Sequence, residues 1–423
     1  MGVSLEPRIV FPAAGKSLAD LRAQLEQASQ GDARWKERLA AGVSYPAGDD
    51  VLQVALDAYS RFFTANALYP GLFPSVDRFE REVVGMTADL LHGDRAVGNI
   101  TSGGSESILL AVKSARDRAR ARRPDVTRPE MVVPESAHPA FWKAAHYFGL
   151  HIVKTPLRRD TWQVDLDAYR AAVNDNTVLL VGSAPSLILG MIDPIPQMAA
   201  LAAERDINFH VDSCVGGYFL PFVEQLGQPL TPFDFRVPGV TTISADLHKF
   251  GYAAKGASMI LSRDEEIYRY QPFDFGPPER PAGWYHTPTM AGTRPGGVIA
   301  AAWAVLNYLG REGYLRLVGQ TMRYIRQFQA DINATPGLEV LGSPVMTVFA
   351  YTSHTLDIFA VADGLEDRGW LVWRESVPFQ AIRCMQSPGH EPFVAAYVRD
   401  LREIVQAVER GELHSRGGKA NYT

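Results

Sequence analysis

Cysteine is nearly missing from this chain of 423 residues, which has only Cys214 and Cys384. Two thiols cannot form a disulfide framework, so a core must hold the fold and a reducing compartment is expected. No Cys/His cluster has zinc-ligand spacing, so no metal site is expected. Basic excess is also missing: 42 Lys and Arg against 47 Asp and Glu give a net charge of 42 − 47 = −5. That balance offers no electrostatic footprint for nucleic acid or an anionic membrane. No apolar run spans a bilayer; the longest, Gly296 to Leu309, holds Trp303 and Asn307 and reads as a buried helix. Met1-Gly-Val-Ser-Leu-Glu6 has no cationic start followed by an apolar core, so no signal peptide is visible and a cytoplasmic location is expected. What remains is 46% hydrophobic and 21% charged, the composition of a globular enzyme, at a length that suits two or three domains.

The informative stretch is Thr241 to Gly256. It opens on a β-branched run that reads as a strand end and closes on small residues. Between them lies Ser244-x-x-x-His248-Lys249. A lysine placed just past a strand among small residues suits Schiff-base chemistry, where a partly desolvated amine must reach an aldehyde. A surface lysine after a strand is the plain alternative. Upstream, Thr101-Ser-Gly-Gly-Ser-Glu-Ser107 opens an apolar-periodic helix. Glycines that admit a close backbone, free helix N–H groups and hydroxyls make an anion cradle, or else a capping loop. Asp212 ends the apolar strand that starts at Ile207. A carboxylate there is costly unless paired, and a protonated pyridine nitrogen is one such partner; a turn or helix cap is another. His138 lies between a strand end and a helix start, the edge of an α/β sheet where ligands bind. Arg294, in Met290-Ala-Gly-Thr-Arg-Pro-Gly-Gly297, suits a phosphate, a carboxylate or an internal ion pair.

The organisation follows from periodicity. Residues 1–60 form an N-terminal helical arm, with Leu18, Leu21 and Leu25 on one helical face. Strand-like runs at Met131–Pro134, His151–Lys154, Thr177–Pro185, Ile207–Asp212 and Ser258–Leu261 alternate with helices. That alternation predicts a large α/β domain over 61–310, built on a mostly parallel sheet. Residues 264–290 have no clear period and read as a long loop. Short strands and helices after a long helix near Tyr314 to Ala334 predict a smaller α+β domain over 311–423.

Taken in order, these motifs resemble the sphingosine-1-phosphate lyases, pyridoxal-phosphate (PLP) enzymes related to the group II amino-acid decarboxylases. The matching stretches are Thr101 to Ser107, Ser136 to Phe141, Gly182 to Pro185, His210 to Gly217, Ser244 to Gly256 and Gly292 to Gly297. The resemblance implies the fold-type I PLP-dependent transferase fold and a homodimer with shared active sites. It implies that Lys249 carries PLP as a Schiff base, that Asp212 pairs with the pyridine nitrogen and that His138 stacks on the ring. Ser102, Gly103, Gly104 and His248 would hold the cofactor phosphate, with Gly292 and Thr293 reaching it from the partner. Cys214 would be a small neighbour of the cofactor. Around the substrate phosphate the family gathers a tyrosine, an Asn-x-x-His loop and a lysine six residues past the Schiff-base lysine. Here these positions hold Tyr45, Asn66, Tyr69 and Lys255, with Tyr69 standing where the family has histidine.

The implied reaction is retro-aldol cleavage of a phosphorylated sphingoid base, with Lys249 or Tyr252 moving the proton. The competing expectation is an amino-acid decarboxylase, because the cofactor motifs do not choose the bond that breaks. A non-catalytic PLP-fold protein is a third expectation, and one that the presence of Lys249, Asp212 and His138 disfavours.

Overall fold

A computed structural model describes residues 8–32, 42–279, 283–376 and 379–417. Its centre is a sheet of β1 (Val97–Thr101), β2 (Glu130–Pro134), β3 (His151–Thr155), β4 (Thr177–Ser183), β5 (Asn208–Asp212), β6 (Thr242–Ala245) and β7 (Ser258–Ser262), in the order β1-β7-β6-β5-β4-β2-β3. Strands β3, β2, β4, β5 and β6 are mutually parallel, while β7 runs antiparallel to both β6 and β1. β4 and β5 are buried along their whole length, as a sheet covered on both faces requires.

The helices are α1 (Leu18–Ser29), α2 (Asp49–Arg61), α3 (Pro74–Leu90), α4 (Gly104–Arg122), α5 (Ala140–Phe148) and α6 (Leu166–Ala171). They continue with α7 (Ile195–Glu204), α8 (Leu220–Gln225), α9 (Glu265–Tyr268), α10 (Gly296–Asn333), α11 (Ile358–Asp367) and α12 (Glu391–Glu409). The period-2 alternation of each strand sorts its side chains between the two layers. Met131, Val133, Leu179 and Val181 pack with Ile108, Val112 and Phe141 of α4 and α5. Val132, Leu180, Phe209 and Val211 pack on the other side, with Met198, Leu220 and Val298 of α7, α8 and α10. His210 and Asp212 therefore project to the face of α4 and α5, and Phe141 meets the His210 ring edge-on at 5.9 Å.

α10 breaks at Gly310, whose φ of 52° and ψ of −173° are not helical. Tyr314 and Leu317 beyond this kink still join the large core. The smaller C-terminal domain has its own antiparallel sheet of β10 (Glu339–Val340), β11 (Val348–Thr352), β12 (Trp373–Glu375) and β13 (Ala381–Met385), in the order β10-β11-β13-β12. Phe328, Phe349, Tyr351, Trp370, Tyr397 and Leu401 form its core. The two-stranded sheet that precedes α10, made of β8 (Phe273–Phe275) and β9 (Tyr285–Thr287), lies in the segment read as a loop, 264–290. That segment contains α9 and a hairpin pairing Phe273–Phe275 with Tyr285–Thr287. Three-residue strands are too short for alternation to show. β1 also escaped the periodicity, since Gly98 and Asn99 are weak strand formers that pairing with β7 overrides.

The arm differs in kind. α1 buries none of its residues, and Leu18 and Leu25 are 62% and 70% exposed, so its apolar stripe has no partner among the described residues. α2 does pack, against α10. Residues 33–41 between them, and the ends 1–7 and 418–423 of the expected arm and tail, lie outside the described residues. Among the described residues no helix is long and apolar enough to cross a membrane.

Candidate active site

The parallel strands deliver their C-terminal ends to one edge of the sheet, and the loops that follow them carry the chemistry. Lys249 follows β6. Its loop closes back on itself, with the His248 N–H donating to Ala257 O at 3.0 Å and the Ala253 N–H to Leu247 O at 3.0 Å. Tyr314 of α10 donates its hydroxyl to Gly251 O at 3.0 Å and pins the loop from below.

Lys249 Nζ lies 2.8 Å from Asp246 Oδ2, and His248 Nε2 lies 3.5 Å from the same oxygen. Burial, the largest single effect, lowers the proton affinity of Lys249, but Asp246, Cys214 and Tyr45 together outweigh it and hold the amine well above its ordinary value. Burial pushes Asp246 up, yet Lys249 and then His248 bring its net value below the ordinary carboxylate range. The second oxygen, Oδ1, is buried with no hydrogen-bond partner among the described residues. Asp246 is the functional residue that sequence reading missed. The signal was present in its i, i+3 placement before Lys249, but a turn carboxylate ordinarily serves as a cap.

Asp212 stands at the end of β5, and both of its donors reach Oδ1: Cys214 N–H at 3.1 Å and Ser244 Oγ at 3.2 Å. Behind it Ser244 Oγ meets His210 Nε2 at 3.2 Å, and His210 Nδ1 meets Thr242 Oγ1 at 2.9 Å. Burial holds His210 down at about 4, so the ring is neutral and the chain of hydrogen bonds carries no second charge toward Asp212. Cys214 donates to Ser244 Oγ at 3.3 Å, and burial with the neighbouring Asp212 and Asp246 keeps its thiol protonated. A neutral thiol is a poor nucleophile. His138 accepts from the Ala140 N–H at 3.1 Å, which orients the ring at the start of α5. Burial lowers its proton affinity, and it feels the charges of Asp212, Lys249, Asp246 and Arg383, so the ring belongs to this cluster.

The cradle forms where β1 turns into α4. Gly103 takes φ 152°, a left-handed value that only glycine adopts freely. A β-carbon at Gly104 would sit 2.7 Å from Cys214 Sγ and 2.8 and 2.9 Å from the Asp246 oxygens. The Gly104 and Ser105 N–H groups precede the first bond of α4, which runs from Glu106 N–H to Gly103 O at 2.9 Å, and the helix dipole favours an anion there. Ser102 is exposed at the rim, and its N–H is committed to Glu106 Oε2 at 2.6 Å. His248 presents Cε1 to the space beside Gly103. Its Nδ1 accepts from the Ala257 N–H at 3.3 Å, and burial holds it down at about 4. A side-chain-free cradle, a strand-end carboxylate and a lysine between them fit a phosphorylated pyridine aldehyde.

Tyr45 and Lys255 join the same cluster. Lys255 Nζ lies 4.6 Å from the centre of the Tyr45 ring and 3.3 Å from His248 O. Tyr45 lies close enough to Lys249 to act on its ionisation. Its hydroxyl contacts Gly42 O at 3.1 Å and Met385 Sδ of β13 at 2.9 Å. Burial of the ammonium and the Lys249 charge lower Lys255 to about 8, although much of its stem is exposed.

Other expected residues gather elsewhere. Asn66 Nδ2 donates to Thr293 Oγ1 at 3.3 Å, Ala67 N–H to Arg294 O at 3.0 Å, and Gly292 lies against Tyr285 and Leu68. Tyr69 is 55% exposed on the same loop. Among the described residues no contact joins Asn66, Tyr69, Gly292 or Thr293 to Lys249. Arg294 resolves to the internal ion pair, with Glu80, and also donates to Ile100 O at 3.2 Å. Tyr252 is set apart in another way. Its φ is 56°, its ring stacks on Tyr314 at 5.8 Å, and its buried hydroxyl has no partner among the described residues. Burial is the sole cause raising its proton affinity, so no charged group acts on it.

The model of the pyridoxal-dependent decarboxylase conserved domain matches residues 44–353. The sphingosine-1-phosphate lyase of Oryza sativa subsp. japonica is 40% identical over 405 residues, 94% of this chain and 74% of its own. The chain belongs to the sphingosine-1-phosphate lyase family. The solved structure of the Burkholderia pseudomallei sphingosine-1-phosphate lyase superposes with a TM-score of 0.91 at 40% identity, covering 97% of this chain and 95% of that one. The glutamate decarboxylase of Lactobacillus brevis, at 18% identity and a TM-score of 0.82 over 96% of both chains, shares the fold. Membership of the lyase family makes this chain a fold-type I PLP-dependent lyase.

Proposed function

We propose that this chain cleaves the C2–C3 bond of a phosphorylated sphingoid base, giving a long-chain aldehyde and phosphoethanolamine. The observation that carries the reading is the Lys255 ammonium, held over Tyr45 and next to Lys249. It offers a cation for a phosphate handle beside the amine that holds the cofactor. PLP, when bound, supplies an aldehyde for the substrate amine and a protonated ring that accepts the electron pair of the breaking bond.

The residues divide that work. Lys249 supplies the nitrogen, Asp212 the carboxylate for the pyridine nitrogen, and His138 the ring beside it. Ser102, Gly103, Gly104 and His248 surround the phosphate of the cofactor. A base takes the C3 hydroxyl proton, C3 leaves as the aldehyde carbon, and C2 is reprotonated. Lys249 suits this transfer better than Tyr252, whose hydroxyl lies in an aromatic stack. We place Asn66, Tyr69, Gly292 and Thr293 in the site of a second copy of the chain, making a homodimer with shared sites. Their separation from Lys249 and the uncovered stripe on α1 support that reading. The two free, buried cysteines suit a cytoplasmic home. The Gly310 kink is the natural joint between a 61–310 domain and a 311–423 domain.

The deciding experiment is product identity. PLP-loaded protein given sphingosine-1-phosphate should release phosphoethanolamine and a long-chain aldehyde. Neither product, with carbon dioxide released from an amino acid instead, would transfer the reading to a decarboxylase.

A further inference from the structure

Asp246 poses a problem for a phosphate cradle. It is a buried carboxylate whose two oxygens lie 2.8 and 2.9 Å from where a β-carbon of Gly104 would sit, so it forms part of the cradle wall. One oxygen is matched to Lys249 at 2.8 Å, while buried Oδ1 has no partner within hydrogen-bond distance among the described residues, although the Ser258 hydroxyl is near enough to favour the carboxylate. An unpartnered buried carboxylate oxygen beside free helix N–H groups cannot face a phosphate dianion without a proton, because two anions would share one lysine.

We propose that Asp246 changes charge with the occupancy of the cradle: it is the carboxylate counter-ion of Lys249 while the cradle is empty, and it takes up one proton and donates Oδ1–H to the phosphate group once that group is seated. This rests on the reading of residues 102–104 as the phosphate site. The step balances simply: one proton from solvent forms one O–H bond, and no other bond changes. Lys249 then loses its carboxylate partner, and its ammonium no longer has the ion pair that resists loss of a proton. The chain thereby couples arrival of the cofactor phosphate to release of the amine that must react with the cofactor aldehyde.

The groups facing Asp246 define the test window. Lys249 and His248 come from its own loop, Cys214 from the turn after β5 and Ser258 from β7. Asp212, Tyr45 and Lys255 act on those neighbours in turn. Between pH 5.5 and 7.5 Lys255, lowered to about 8, stays mostly charged, and Cys214 stays protonated. Asp246 and the two histidines whose rings feel its charge, His248 and His138, are the groups left to respond.

Sulfate is the probe, because its charge is constant across that window. The full-length chain, purified without PLP, is titrated with sulfate by calorimetry. In the wild type, affinity should rise close to tenfold for each pH unit lowered, and a protonated-carboxyl infrared band should appear on sulfate addition. D246N keeps a donor but loses the charge, so it should bind sulfate at least tenfold more tightly at pH 7.5, with flat pH dependence and no such band. Flat binding in the wild type, or a slope that survives in D246N because His248 or His138 takes the proton, would overturn the proposal and leave the cradle intact. Failure of sulfate to bind either protein at any pH would overturn the cradle assignment as well.

Discussion

Replacing Gly104 by alanine tests the cradle with one methyl group. That methyl would lie 2.7 Å from Cys214 Sγ and 2.8 and 2.9 Å from the Asp246 oxygens. Ordinary contact distances are about 3.5–4.0 Å, so each neighbour must retreat by roughly 0.6 Å or more. Neither moves freely: Cys214 is bonded to Ser244, and Asp246 is paired with Lys249. Overpacking of this kind costs about 1–3 kcal/mol. Displacing Asp246 and crowding the cradle should therefore weaken PLP binding roughly five- to a hundredfold, at about 1.4 kcal/mol per tenfold. The assay is a titration of the apoprotein with PLP, followed by cofactor absorbance, with a thermal melt in parallel. G103A is the comparison. Its methyl would meet only His248 Cε1, at 3.5 Å, but its φ of 152° makes any side chain strained. G103A should lower the melting temperature without the same displacement of Asp246. If G104A bound PLP within about twofold of wild type and melted normally, the packing argument and the cradle geometry would both be wrong.

Tyr252→Phe removes a hydroxyl that has no partner among the described residues, so activity and melting temperature should stay near wild type; a tenfold loss of kcat would make Tyr252 the proton carrier after all. Lys255 is lowered to about 8, so its charge is lost as pH rises through that value, and KM should climb above pH 8 while kcat holds. Lys255→Gln should raise KM about 10- to 100-fold at pH 7, the worth of a charge-assisted bond, and abolish that pH dependence. Asp193 is pushed from 3.8 up to about 7, first by burial and then by the Asp212 charge, against the hydrogen bond from Ser183 N–H. Its folded value exceeds the unfolded one, so the stability it contributes is full below about pH 4 and is lost as pH rises toward 7; thermal melts of Asp193→Asn should fall less between pH 5.5 and 8 than those of wild type. Finally, Lys249→Ala and a Gly292/Thr293 double alanine variant, each inactive alone, should regain activity when co-expressed, because mixed dimers restore one intact site; no recovery, with dimers present, would remove those residues from the shared site.

Much of this molecule was legible in one dimension because its signals are local. β4 was visible as a buried run from Thr177 to Pro185, two residues longer than the strand Thr177–Ser183, since a strand covered on both faces reads as a near-continuous apolar run. Asp212, His138 and Lys249 stood out because each follows a strand, and parallel topology carries strand ends to one edge. What the chain could not show alone were relations between distant residues. Gly98 and Asn99 form a strand only because β7 lies beside them. Asp246 looked like a turn residue until the fold brought Gly104 and Cys214 against it. Tyr252 and Tyr45 are both tyrosines near the lysine in some sense. The tertiary structure turned the first into an aromatic stack and the second toward the amine, and only packing distinguishes them. The sequence by itself determined the cofactor chemistry and the order of elements, because residue type and periodicity are properties of short segments. The tertiary structure decided which charges meet, because ion pairing depends on distances that local pattern does not encode.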